Sequence, residues 1–160
     1  MKNLWSLAVL FIAVAAISCS SNPTESDAYK TMLTGMEELK ANYNTIAEEV
    51  KAMEAPLAEM KASVAGMENA DSTMTAAVAM YENAVMQGKT AMEKHTAMLE
   101  AQTQKLSAHA TMDMTQIGED FKSMTSEYEQ MAADLNGVKQ MASQAQAAYQ
   151  TAMNTTTTEQ

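Results

Sequence analysis

Two short stretches carry the residue types and spacing that could do chemistry: Met92-x-x-His95-x-x-Met98 and His109-x-x-Met112-x-Met114. Side chains three apart share a helix face, so a thioether, an imidazole and a second thioether can converge on one ion. Soft sulfur donors beside imidazole select Cu(I) or Ag(I) over zinc. The same two histidines also fall on positions expected to face a helix partner, where a polar layer with Gln102 would set register. Beyond this constellation, two histidines and one cysteine leave few nucleophile and base pairings. The chain has no Gly-rich phosphate loop, and its carboxylates read as solvent-facing partners of lysines, as in Glu48 with Lys51 and Glu119 with Lys122. The inventory points to a non-enzymatic protein.

The elements that position these residues follow from composition. In 160 residues there are only two prolines, five glycines and 5% aromatics against 47% hydrophobic content, which disfavours β architecture and leaves helix. Net charge is −10, and all ten cations are lysine, which argues against phosphate recognition and hence against a nucleic-acid partner. From Tyr29 the apolar residues Met32, Met36, Leu39, Tyr43, Ile46, Val50, Met53, Leu57, Met60, Val64 and Met67 follow at alternating spacings of three and four, the 3.5-residue period of a helix-packing stripe. A second block carries Met74, Val78, Tyr81, Val85, Met92, Leu99 and Leu106, with Gly88, His95, Gln102 and His109 at the alternate positions, and reads as the weakest seam. A third restarts one residue out of phase with Met114, Ile117, Phe121, Met124, Tyr128, Met131, Leu135, Val138, Ala142, Ala145 and Tyr149.

Turns are expected at Asp71, a helix cap, and at Asp113, which with Gln116 has capping-box spacing. The resulting helices, 28–68, 72–109 and 114–153, match in length at about 57 to 63 Å. They suit an all-α, antiparallel three-helix bundle with coiled-coil-like heptads; the alternative is one extended helix that oligomerises into a rod of about 190 Å. Pro56 interrupts the first helix, which is expected to kink and continue. The tail 154–160, NTTTTEQ, reads as disordered. Most of the seventeen methionines lie on the seams as flexible core filler, whereas Met80, Met86, Met98, Met112, Met141 and Met153 lie off them.

The first nineteen residues carry an address. Lys2 precedes an uncharged apolar run from Leu4 to Ile17, and small Ser18 precedes the single Cys19, the pattern of a secretory signal. Ala16-Ile17-Ser18-Cys19 resembles the lipobox of the bacterial lipoprotein class, with alanine where leucine is commoner. That resemblance implies a signal peptide at 1–18, lipidation of Cys19 and a tether at 19–27 ahead of the 28–153 bundle. Ser20 after the lipidated cysteine resembles the pattern sent to the outer membrane. Two or more acyl chains anchor a domain firmly to a membrane of the cell envelope. In plan the chain resembles small helical outer-membrane lipoproteins with a structural or protein-interaction role, acting with an envelope partner or as a homo-oligomer and needing no cofactor beyond the covalent lipid. The Met/His units resemble those of periplasmic copper- and silver-binding proteins, which implies the alternative of a Cu(I)/Ag(I) buffer using Met92, His95, Met98, His109, Met112 and Met114. A third reading is a lipid or amphiphile carrier that opens along its Met/Ala seam.

Overall fold

In the computed structural model, which describes residues 23–67 and 70–158, the chain is an all-α helical bundle; among the described residues there is no strand. The signal peptide, lipobox and Cys19 lie outside the described residues. Four α-helices follow in order: α1 Asp27–Ala52, α2 Glu54–Ala65, α3 Ser72–Ala108 and α4 Met114–Thr158. None of the described helices is long and apolar enough to cross a membrane.

The helix starts follow from capping chemistry. Pro23–Glu25 form a short 3-10 turn, and the Ser26 hydroxyl accepts the Tyr29 N–H at 3.2 Å, so the end of the expected tether is already structured and α1 starts at Asp27. Asp71 caps α3, its carboxylate accepting the Thr73 N–H at 3.2 Å. Asp113 and Gln116 form a full capping box: the Asp113 carboxylate accepts the Thr115 and Gln116 N–H groups at 2.9 Å, and the Gln116 side chain accepts the Asp113 N–H at 3.2 Å. Such a cap contributes about 1 kcal/mol.

Pro56 acts through the donor it lacks. Without an N–H at 56 no bond can reach the Ala52 carbonyl, and α1 stops there. Met53 keeps right-handed helical angles (φ −67°, ψ −14°), with its N–H on Val50 at 3.2 Å, and Leu57 resumes the i to i−4 pattern onto Met53 at 3.3 Å. The expected kink is thus a one-residue interruption between two helices. The second of them ends at Ala65, three residues short of expectation. The expected disordered tail is also corrected, because α4 runs through Thr158. The exposed threonine hydroxyls near this end bond back to the preceding turn, Thr151 to the Ala147 carbonyl at 2.9 Å and Thr155 to the Thr151 carbonyl at 3.0 Å.

The chain divides into two compact units, one from Met1–Tyr43 with Thr96–Gln130, the other from Asn44–His95 with Met131–Gln160. In the first, Tyr29, Met32, Met36, Leu39 and Tyr43 of α1 are buried, as are Ile117, Phe121, Met124 and Tyr128 of α4. In the second, alanines and valines (Ala47, Val50, Ala77, Val78, Ala84, Val85, Val138, Ala142, Ala145 and Ala152) are buried alongside Ile46, Met53, Met60, Met74, Tyr81, Met131, Leu135 and Tyr149. Small side chains allow close helix approach there. A Cβ built on Gly88 would lie 2.5 Å from Val50 Cγ1 and 3.2 Å from Val138 Cγ1. In each unit the chain folds back so that α3 packs on α4, which replaces the continuous-helix alternative by a folded-back bundle.

Candidate functional site

One stripe of α3 changes character along its length. At seven-residue steps it presents Met74, Tyr81 and Gly88, then His95, Gln102 and His109, all buried; the two histidines are 0% exposed and Gln102 is 2% exposed. Beyond Gly88 these three polar residues are the only buried ones on the helix and the turn that follows it, whereas Met92, Met98, Leu99 and Leu106 are half-buried. The sequence places His95, Gln102 and His109 on this weakest seam as a polar layer alternating with Met92, Leu99 and Leu106; the structure buries the polar layer and leaves those apolar residues half-buried. Across the interface each of the three polar residues lies opposite a carboxylate.

His95 Nε2 lies 3.4 Å from Asp134, Gln102 Nε2 donates to Glu127 at 2.9 Å, and His109 Nε2 lies 3.5 Å from Asp120. Each step of seven up α3 is a step of seven down α4, the signature of antiparallel pairing. A buried polar group without a partner costs about 1 to 3 kcal/mol, which the hydrogen bonds to Asp134 and Glu127 offset for His95 Nε2 and Gln102 Nε2. The three carboxylates are half-buried. They correct the expectation of carboxylates scattered over solvent faces, although Glu48 with Lys51 is the exposed surface pair expected, at 2.6 Å.

The rungs differ in electrostatics. Burial pushes the Glu127 carboxyl up, but hydrogen bonds from Gln102, Lys105 and Ser123 and the Lys105 charge outweigh it and hold the group below its ordinary value. Lys105 Nζ lies 3.3 Å and Ser123 Oγ 3.2 Å from Glu127 Oε1, so this carboxylate stays ionised beside a cation. His109 goes the other way. Burial lowers its pKa against the opposing pull of Asp120, and neither ring nitrogen makes a hydrogen bond, the Asp120 approach lacking hydrogen-bond alignment. Its ring is held instead by Tyr29, edge-on at 5.7 Å and 86°, and by Phe121 at 5.1 Å, with Tyr29 and Phe121 themselves 5.6 Å apart. A neutral imidazole packed as a third aromatic is the outcome.

The candidate metal ligands are distributed as follows. Met92 and Met98 flank His95 on α3 and are half-buried. His109 begins a 3-10 turn whose C-cap is Met112, in extended backbone at φ −98° and ψ 157°. Met114 opens α4, and its sulfur accepts the Ser26 hydroxyl at 3.8 Å. His95 and His109 are thus separated by two turns each way from the Gln102 rung, and each faces a carboxylate of α4. Sequence reasoning missed Asp120, Glu127 and Asp134. The signal that could have found them is their own seven-residue spacing, matching that of His95, Gln102 and His109. No family model matches this chain, and no curated protein or solved structure does either.

Proposed function

We propose that the chain is a lipid-anchored protein of the bacterial cell envelope, held through Cys19 at a membrane, most consistent with the outer one, and acting non-enzymatically as a structural or protein-interaction module. The observation that carries the reading is the sequence Ala16-Ile17-Ser18-Cys19 behind a charged and then apolar leader, with the chain's single cysteine at the lipidation position. The bundle supports it. The buried polar side chains of its α3 stripe each lie opposite a half-buried carboxylate of α4, an arrangement suited to fixing helix alignment. An acidic exterior with a net charge of −10 suits a solvated domain tethered beside a membrane.

The test is metabolic labelling with radioactive palmitate in a bacterial host, followed by fractionation. The chain is expected to take up label and to sediment with membranes. Cys19→Ala is expected to abolish both while leaving the helical circular-dichroism signal unchanged. Label retained in Cys19→Ala, or no label in the parent chain, would overturn the anchor.

A further inference from the structure

The excess of methionine is only partly absorbed by packing. Most of the methionines on the helix stripes are buried, with Met74, Met124 and Met131 at 0% exposure, as flexible core filler should be. None of those off the stripes is in the core. Met98, Met112, Met141 and Met153 are half-buried, and Met80 and Met86 are 52% and 59% exposed, the only large apolar side chains among the described residues that stand open to water. At an exposed helix position lysine, glutamine or leucine would serve the helix as well, so neither packing nor propensity accounts for a thioether there. Six residues apart on α3, Met80 and Met86 are separated by about 9 Å along the axis and about 120° around it. They therefore form no common docking patch, and their sulfurs cannot share one ion. What a solitary exposed thioether offers, and leucine, lysine or glutamine does not, is a sulfur lone pair that accepts an oxygen atom.

We propose that Met80 and Met86 are the oxidation sites of this chain, each reducing one hydroperoxide and ending as the sulfoxide ahead of every other described methionine. The sulfur lone pair attacks a peroxide oxygen, and an S–O bond forms as the O–O bond breaks. The proton of the transferred oxygen passes to the leaving oxygen, which departs as water or an alcohol. The thioether loses two electrons and the hydroperoxide gains them, so no further reactant is needed. At these two positions the new S=O group stays hydrated, whereas in the core it would be a buried acceptor without a donor. The chain thus takes up two oxygen atoms without loss of fold, in a form that methionine sulfoxide reductases return to the thioether.

The probe is dilute hydrogen peroxide added to the whole folded chain, with sulfoxide at each methionine followed by peptide mass spectrometry beside far-UV circular dichroism and the urea midpoint. Met80 and Met86 are expected to oxidise at least about tenfold faster than Met74, Met124 and Met131, which peroxide reaches only through local opening. Met98, Met112, Met141 and Met153 are expected to fall between. The first two equivalents taken up are expected to leave the helical signal and the midpoint unchanged. Met80→Leu combined with Met86→Leu, which conserves volume at exposed positions, is expected to remove the fast phase and leave the slower rates as they were. Another methionine oxidising as fast as these two, a midpoint that falls with the first two equivalents, or a fast phase that survives in the double variant would each overturn the assignment.

Discussion

The two compact units solve the same packing problem with different materials. The unit containing Thr96–Gln130 buries a cluster of aromatic rings, with His109 packed against Tyr29 and Phe121, and gives Gln102 a carboxylate across the helix pair. The unit containing Asn44–His95 adds buried alanines and valines to its larger side chains, has Val50 and Val138 pressed against Gly88, and buries one polar rung residue, His95, opposite Asp134. Truncating a large buried ring opens a void in the first unit, whereas at Gly88 in the second the risk is added volume. Cavity formation should therefore dominate in one unit and overpacking in the other.

The largest effect should come from Phe121→Ala. Phe121 is 1% exposed and touches the rings of both Tyr29 and His109. Its truncation is expected to cost about 3 to 5 kcal/mol in urea denaturation. A loss under about 1 kcal/mol would show that the aromatic cluster is not the keystone of its unit. Next is Gly88→Ala. Helix propensity alone would reward it by about 1 kcal/mol, but a Cβ 2.5 Å from Val50 Cγ1 forces the helices apart, and a net cost of about 1 to 3 kcal/mol is expected. A stabilised Gly88→Ala would erase the contrast between the units. Gly118 and Gly137 supply the control. Neither would bring a new Cβ within 4 Å of anything, one lies in each unit, and both alanine variants are expected to gain about 0.5 to 1 kcal/mol, read as a higher urea midpoint at unchanged slope.

The smallest effect is in the pH profile. His109 has its folded pKa below the usual 6.5, so the unfolded chain takes up a proton first as pH falls. Stability is therefore full above about 6.5 and declines as pH drops from there towards the folded value. Glu127, held below its usual 4.5, adds a second loss, because the stability it contributes above 4.5 disappears as pH falls through its folded value. His109→Gln is expected to remove the first decline and leave the second, measured as urea midpoints from pH 8 to pH 3. An unchanged first decline would mean that another group titrates there.

Much of the bundle is legible in the amino-acid pattern because hydrophobic periodicity is a local property. The stripe from Tyr29 to Met53 and that from Ile117 to Tyr149 are buried residue for residue, and both turns lie at the acids whose spacing announces a cap. The Pro56 interruption was anticipated in kind, since a missing N–H acts on its own turn. Long-range pairing was not legible. Whether Asp120, Glu127 and Asp134 meet water or meet α3 depends on the register between helices, which no single stripe encodes. For the same reason the second block read as weak: polar residues on a core position look like faults until their partners are in place. The low-complexity tail reads as disordered because its threonines are weak helix formers, yet α4 runs through Thr158.

The even spacing of the polar rungs has a further consequence for alignment. A slip of α3 along α4 by seven residues would set Gln102 against Asp120 and His95 against Glu127, still matching every polar group displaced within the set to a carboxylate. The rungs therefore exclude slips of one to six residues but are degenerate at seven. The degeneracy is lifted by features that do not repeat: Gly88, which admits Val138 where a larger side chain would stand in its way, and Phe121, which needs the ring of His109 beside it. Correct docking is thus a two-level code, a periodic polar signal that finds the phase and single aperiodic contacts that choose among equivalent frames.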